Sequence, residues 1–346
     1  MYINLPSFHS YYSMDSNSNS EIVIEESPQE QHPLKRFDAG YFRISLSFCS
    51  QSLLFQILNH QSILPSTPFL LLWLISLFTI TSLSLFYTLR SFFHFQLLKS
   101  DFLHPVGVNY LFAPWISWLL LLQSSPFLFL TPYYPLLCCL FLLPILLLDL
   151  KIYGQWFIKG KRSLSTAANP TTQLSVIGNL VGARTAALMG WKETSICLFS
   201  LGITHYLVLF VTLYQRLSPG NCLPTMLRPA FFLFIATPSV ACLAWNSISG
   251  TFDNFAKMLF FLSLFLFLSL VSRPKLFHKS TRKFNVAWWA YSFPLTLLAL
   301  ASAYYAQEVK AALAHGLMLL LSSISLLVSL SLIFFTANPF SIFHKN

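Results

Sequence analysis

A chain of 346 residues that is 55% hydrophobic and 9% charged lacks the polar surface that a water-soluble protein of this size needs, and its 35 Phe and mean hydropathy of +0.63 assign it to lipid instead. The formal charge of +10 does not mark a nucleic-acid binder, because the basic residues are dispersed between apolar runs, where they set topology. The six cysteines (Cys49, Cys138, Cys139, Cys197, Cys222 and Cys242) show neither zinc-ligand spacing nor a disulfide framework.

Residues 1–36 are polar and acidic-leaning, with Asp15, Glu21, Glu25, Glu26 and Glu30, and have no long apolar core. They read as a disordered cytosolic tail and not as a signal peptide. From residue 37 onward, runs long enough to cross a bilayer, which takes about 20 apolar residues, fall at 37–58, 68–90, 103–123, 133–152, 170–189, 193–215, 229–249, 253–272, 284–305 and 313–336. The expectation is an all-α polytopic membrane protein with ten transmembrane helices over 37–336 and a short cytosolic tail over 337–346.

The loops test that count. Lys35 and Arg36, Arg90 and Lys99, Lys151 with Lys159, Lys161 and Arg162, Arg216 and Arg228, the cluster from Arg273 to Lys283, and Lys345 all fall on one side. Only Lys192 and Lys310 fall on the other. By the positive-inside rule both termini are expected in the cytosol.

Two kinds of span alternate. The even ones are long and greasy, as in "FLLLWLISLFTITSLSLFY" (69–87). The odd ones are interrupted by Pro, Gly, Asn and small residues. Pro114, Pro170, Pro238 and Pro294 recur at intervals of 56, 68 and 56 residues, a weak repeat of one broken and one straight helix. Pro144, in an even span, is an exception. Broken backbone is tolerated in a membrane where it is buried in protein or lines a watery cavity. The odd helices are therefore expected inside, around a conduit, with the even ones as a lipid-facing sleeve.

Several stretches carry a resemblance: "KRFDAGYFRISLSFCSQSLLF" (35–55), "NYLFAPWISWLL" (109–120), "ANPTTQLSVIGNLVGARTAALMGWKE" (168–193), "THYLVLFVTLYQRL" (204–217), "AWNSISGTFD" (244–253) and "KFNVAWWAYSFPLT" (283–296). Together they resemble the plant slow-type (S-type) anion channels, closest to the short-tailed homologues and distantly related to bacterial tellurite-resistance and dicarboxylate transporter proteins. The resemblance implies five helical hairpins in quasi-fivefold symmetry, an inner ring of kinked helices around one pore per protomer, a trimer, and chloride and nitrate as permeants. It also implies a role for Phe293: the aromatic residue just before the proline of the ninth helix projects into the pore and occludes it. A ring across a narrow pore excludes water, and an anion crosses a dry constriction only at high cost.

Arg43 and Arg184 lie within inner spans, where a charge is rare and faces the protein interior or water. Both are candidates for pore electrostatics; the alternative is a structural role, by carbonyl pairing or by snorkelling to an interface. The resemblance implies small or apolar residues at these positions in the long-tailed conducting members. A strong fixed charge in a narrow pore can hold an anion instead of passing it. The leading expectation is thus a passive chloride and nitrate channel subunit of the plasma membrane, a homotrimer or a heterotrimer with a homologous subunit. The alternatives are an electrically silent regulatory subunit and a proton-coupled carrier of malate or other dicarboxylates.

Other polar residues read as structural. Asp149 and Lys151, and Asp253 with Lys257 one turn on, suit ion pairs, and His205 suits packing. Ser10, Ser13, Ser16 and Ser27 are candidate kinase targets without an assigned site. The basic stretch 273–284 can touch anionic lipid headgroups. No catalytic, metal or cofactor constellation appears, so no enzyme is expected.

Overall fold

The computed structural model describes residues 37–127, 131–157, 164, 168–216, 225–274 and 284–337. The expected tails over 1–36 and beyond 337, the basic residues Lys159, Lys161, Arg162 and 275–283, and Cys222 lie outside the described residues.

The described chain is helical throughout. In order it forms α1 (Phe42–His60), α2 (Ser66–Phe93), α3 (Phe95–Leu103), α4 (Gly107–Tyr110), α5 (Ala113–Gln123), α6 (Tyr134–Trp156), α7 (Gln173–Leu188), α8 (Lys192–Arg216), α9 (Leu233–Ser249), α10 (Asn254–Val271), α11 (Trp289–Val309) and α12 (Ala312–Ala337).

Burial sorts them into two sets. Within the most apolar stretch of each helix, the buried share is 83% for the helix running into α11 and 78% for that running into α9, against 22% to 39% for α2, α6, α8, α10 and α12. In α7 every residue from Gln173 to Ala186 is buried. Most of α1 and α5 is buried as well. The exposed set carries Phe and Leu outward, as at Phe78, Leu140, Phe265 and Leu327. Such a surface is stable in hydrocarbon and unstable in water.

The buried helices α1, α5, α7, α9 and α11 pack in cyclic order, and α11 closes on α1. Each exposed helix packs on the buried helix before it and on the next one round: α2 on α1 and α5, α6 on α5 and α7, α8 on α7 and α9, α10 on α9 and α11, α12 on α11 and α1. Among the described residues, length and apolarity alone single out 7 helices able to cross a membrane, or 8 if the pair Phe95–Leu103 and Gly107–Gln123, bent by 105°, counts as one broken span. This is fewer than the ten spans expected, for a physical reason. With 16 residues, α7 reaches only about 24 Å at about 1.5 Å per residue, short of a hydrocarbon core of about 30 Å. Along α1, Arg43, Ser45, Ser47, Ser50, Gln51 and Ser52 are all buried, so its polar side chains lower its hydropathy without meeting lipid.

The prolines occupy different positions. Pro238 and Pro294 lie inside α9 and α11. Pro114 is in the first turn of α5, just after the interruption at Leu111 and Phe112, and Pro170 begins the 3-10 turn that leads into α7, where a missing N–H is harmless. Around Pro238 the neighbouring Ile235 carbonyl accepts from Ser239 Oγ at 2.9 Å and from Ser263 Oγ of α10 at 2.8 Å. Hydroxyls of this kind re-satisfy backbone disturbed by an intramembrane proline.

Candidate functional site

The buried helices begin alike. Asp38 Oδ1 accepts from Gly40 N–H at 2.8 Å ahead of α1, Asn169 Oδ1 from Thr171 N–H at 3.0 Å ahead of α7, and Asn285 Oδ1 from Ala287 N–H at 2.9 Å ahead of α11. His104 Nδ1 accepts from Val106 and Gly107 N–H at 3.2 and 3.1 Å ahead of α4. Arg228 and Pro229 stand at the matching place before α9. A side chain that accepts from the chain two residues on fixes where the helix starts. The local pattern (a polar residue, then Ala, Pro or Val, then a helical turn) recurs at 38, 104, 169, 228 and 285. It marks the repeat more closely than the proline spacing does.

These beginnings gather at one end of the ring. A cavity there is bounded by Arg43 of α1, Tyr110 of α4, Leu174 of α7, Leu233 of α9, and Trp289 and Phe293 of α11. All five sectors of the ring contribute to one space. Its volume is about 10 Å³ for the centre of a water molecule, room for about one water.

Phe293 is 2% exposed and among the largest fully buried side chains. Its position one residue before Pro294 puts it in the wall of that cavity. Because Pro294 has no N–H, the Ala290 carbonyl loses its usual helical partner, and Ala290 also borders the cavity. One turn on, Thr296 and Ser292 belong to a polar cluster: Thr296 Oγ1 with Ser325 Oγ at 2.9 Å, Ser292 Oγ with Ser329 Oγ at 2.7 Å, and Gln51 Nε2 donating to both serine hydroxyls at 2.8 Å. This cluster ties α11 to α12 and α1.

The two arginines have different surroundings. Arg43 is 7% exposed. Its Nε donates to the Gly40 carbonyl at 2.7 Å, and its guanidinium lies 4.8 Å from the Tyr110 ring centroid. Arg184 is ten residues beyond Leu174 on α7, roughly 15 Å further along the ring at about 1.5 Å per residue. Its Nη1 donates to Gln123 Oε1 at 2.7 Å and its Nη2 to the Tyr304 hydroxyl at 3.2 Å. Gln123 is itself anchored to Val181 O and Thr185 Oγ1 on α7. Arg184 thus clamps α5, α7 and α11 near their C-terminal ends, where helix dipoles favour a cation. Only Arg43 reaches the cavity.

The expected surface pairs are arranged otherwise. Asp253 caps α10, accepting from Ala256 N–H at 2.9 Å and from Trp245 Nε1 at 2.9 Å. Among the described residues the ion pair formed is Arg90 with Asp101, at 2.6 Å, so the Asp253–Lys257 and Asp149–Lys151 pairs are not made. Lys151 instead donates to the Phe102 carbonyl and sits over that ring. His205 stacks on Tyr153 at 3.5 Å between centroids, a packing role.

Comparison with known proteins identifies the family. The family model described as "Voltage-dependent anion channel" matches residues 36–337. S-type anion channel SLAH1 of Arabidopsis thaliana is 58% identical over 316 residues, covering 88% of this chain and 82% of that protein. S-type anion channel SLAH4 of the same plant is 58% identical over 308 residues, covering 88% of this chain and 84% of that one. Guard cell S-type anion channel SLAC1 is 43% identical over 320 residues, covering 89% of this chain and 56% of its own length.

Proposed function

The chain belongs to the voltage-dependent anion channel family, and from that premise we propose that it is a slow-type anion channel subunit that passes chloride and nitrate passively, with Phe293 as its gate. Ten spans in quasi-fivefold order, both termini in the cytosol, residence in the plasma membrane and assembly as a homotrimer or with a homologous subunit complete the reading. One observation carries it: a cavity receives a residue from every sector of a cyclic helix ring, and Phe293 lies in its wall beside a proline. A conduit through such a ring opens when that aromatic side chain moves aside. The exposed helices α2, α6, α8, α10 and α12 form the lipid-facing sleeve, and the loops rich in Lys and Arg face the cytosol.

The cavity lining includes no carboxylate and no histidine. The relatives are named as anion channels, so the channel reading is preferred to a proton-coupled carrier of dicarboxylates. An electrically silent partner subunit is the second reading, favoured by the buried guanidinium of Arg43 in a space that holds about one water. Voltage clamp in oocytes, with surface protein verified, separates the three. A current whose reversal follows the chloride or nitrate gradient at any external pH supports the channel. Uptake that follows the proton gradient supports the carrier. Silence alone, combined with an altered current when a conducting homologue is co-expressed, supports the subunit.

A further inference from the structure

Arg43 is a cation more than nine-tenths buried that lines the central cavity. Its Nε is committed to the Gly40 carbonyl, yet among the described residues it makes no ion pair. A buried charge left in that state is costly unless an anion joins it. The helix beginnings that converge on the same space each add partial positive charge.

Asp38 stands close by. A Cβ placed on Gly40 would lie 2.8 Å from both Arg43 Nη2 and Asp38 Oδ1, so cation and acid face each other across the width of one methyl group. The Asp38 carboxylate caps the turn before α1, but Asn169 and Asn285 make the same cap with a neutral amide. The cap therefore does not require the negative charge of Asp38, and that charge acts on Arg43 instead.

We propose that the cavity is a binding site for one small monovalent anion held by Arg43, and that Asp38 competes with this anion for the guanidinium. The proposal deepens the channel reading and takes its ligand class from it. Room for about one water suits a dehydrated halide, whereas a planar anion requires Phe293 to shift.

The test uses the full chain purified in lipid nanodiscs. Thermal unfolding is followed as sodium chloride replaces sodium gluconate at fixed ionic strength. The wild type is expected to show a saturable rise in Tm with chloride, as for any ligand that binds only the folded state. Arg43→Gln is expected to abolish the rise. Asp38→Asn keeps the cap, and it should lower the half-saturating chloride concentration about tenfold. A chloride response retained in Arg43→Gln, an unchanged half-saturation in Asp38→Asn, or no response in the wild type overturns the proposal. If Arg43→Gln does not fold, Asp38→Asn decides, with Arg43→Lys expected to retain a weakened response. Current through Phe293→Ala is recorded separately. Current without chloride binding removes the site and leaves the channel; binding without current removes the channel reading and leaves the site.

Discussion

Truncating Phe293 to alanine should weaken the fold and open the conduit together. The ring is 2% exposed, and removing a fully buried Phe costs about 3–5 kcal/mol when the space stays empty. Here the vacated volume joins a cavity that already has room for about one water and one guanidinium wall. The new space can hydrate, which places the cost near about 3 kcal/mol, a fall in Tm of about 5 °C. The same hydration removes the dry constriction, so anion current should appear. In oocytes with matched surface protein, the order expected is Phe293→Ala above Phe293→Val above Phe293→Leu, with Phe293→Trp silent. Thermal unfolding in detergent should rank the variants inversely. A silent alanine variant at normal surface level, or equal currents across the series, would refute the assignment of Phe293 as the gate.

Three further outcomes follow from packing. At Gly182 an added Cβ would lie 2.6 Å from Leu142 Cδ1; Gly182→Ala should be absorbed by that flexible tip, while Gly182→Val should cost about 2–3 kcal/mol by parting α6 from α7. Equal melting temperatures for the two variants would contradict this. Ser239→Ala and Ser263→Ala should each cost about 1 kcal/mol, and the double variant more than their sum, because Ile235 then loses both hydroxyl donors; strict additivity in unfolding experiments would count against shared support of the Pro238 segment. Asp149 is 2% exposed and neither carboxyl oxygen has a hydrogen-bond partner, so Asp149→Asn should leave stability unchanged or higher. A loss above about 2 kcal/mol would show that the charge is needed.

Much of this architecture is legible in the sequence because lipid sorts residues by a simple rule. The greasy runs around Phe78 and Phe265 can only face hydrocarbon, and they form exposed helices. The interrupted runs around Pro238 and Pro294 hold polar backbone that needs protein partners, and they are buried. Hydropathy marks α1 and α7 more weakly than the greasy runs. Several of their polar side chains find partners on other helices of the fold, as Gln51 does at Ser325 and Arg184 at Gln123 and Tyr304. The break of 105° between α3 and the segment from Gly107 escapes a window count for a local reason: Pro105 and His104 set a turn inside an apolar stretch. Arg43 and Arg184 look equivalent as letters. Only the fold separates them, one toward the cavity beside Tyr110 and one between Gln123 and Tyr304.

The turns that begin the buried helices open toward one end of the ring, where each sector lines the cavity. A helix N-terminus carries about half a positive charge and a C-terminus the opposite, so five aligned helices amount to about +2.5 at one mouth and about −2.5 at the other. The exposed helices run the other way but stand about 10 Å further from the axis, and they offset this field only in part. An anion crossing the ring therefore meets an uneven profile, and the current should rectify, with unequal flow at equal and opposite voltages. That polarity is written in the backbone. It should persist after both arginines are replaced, as a diode set by chain direction and not by side-chain charge.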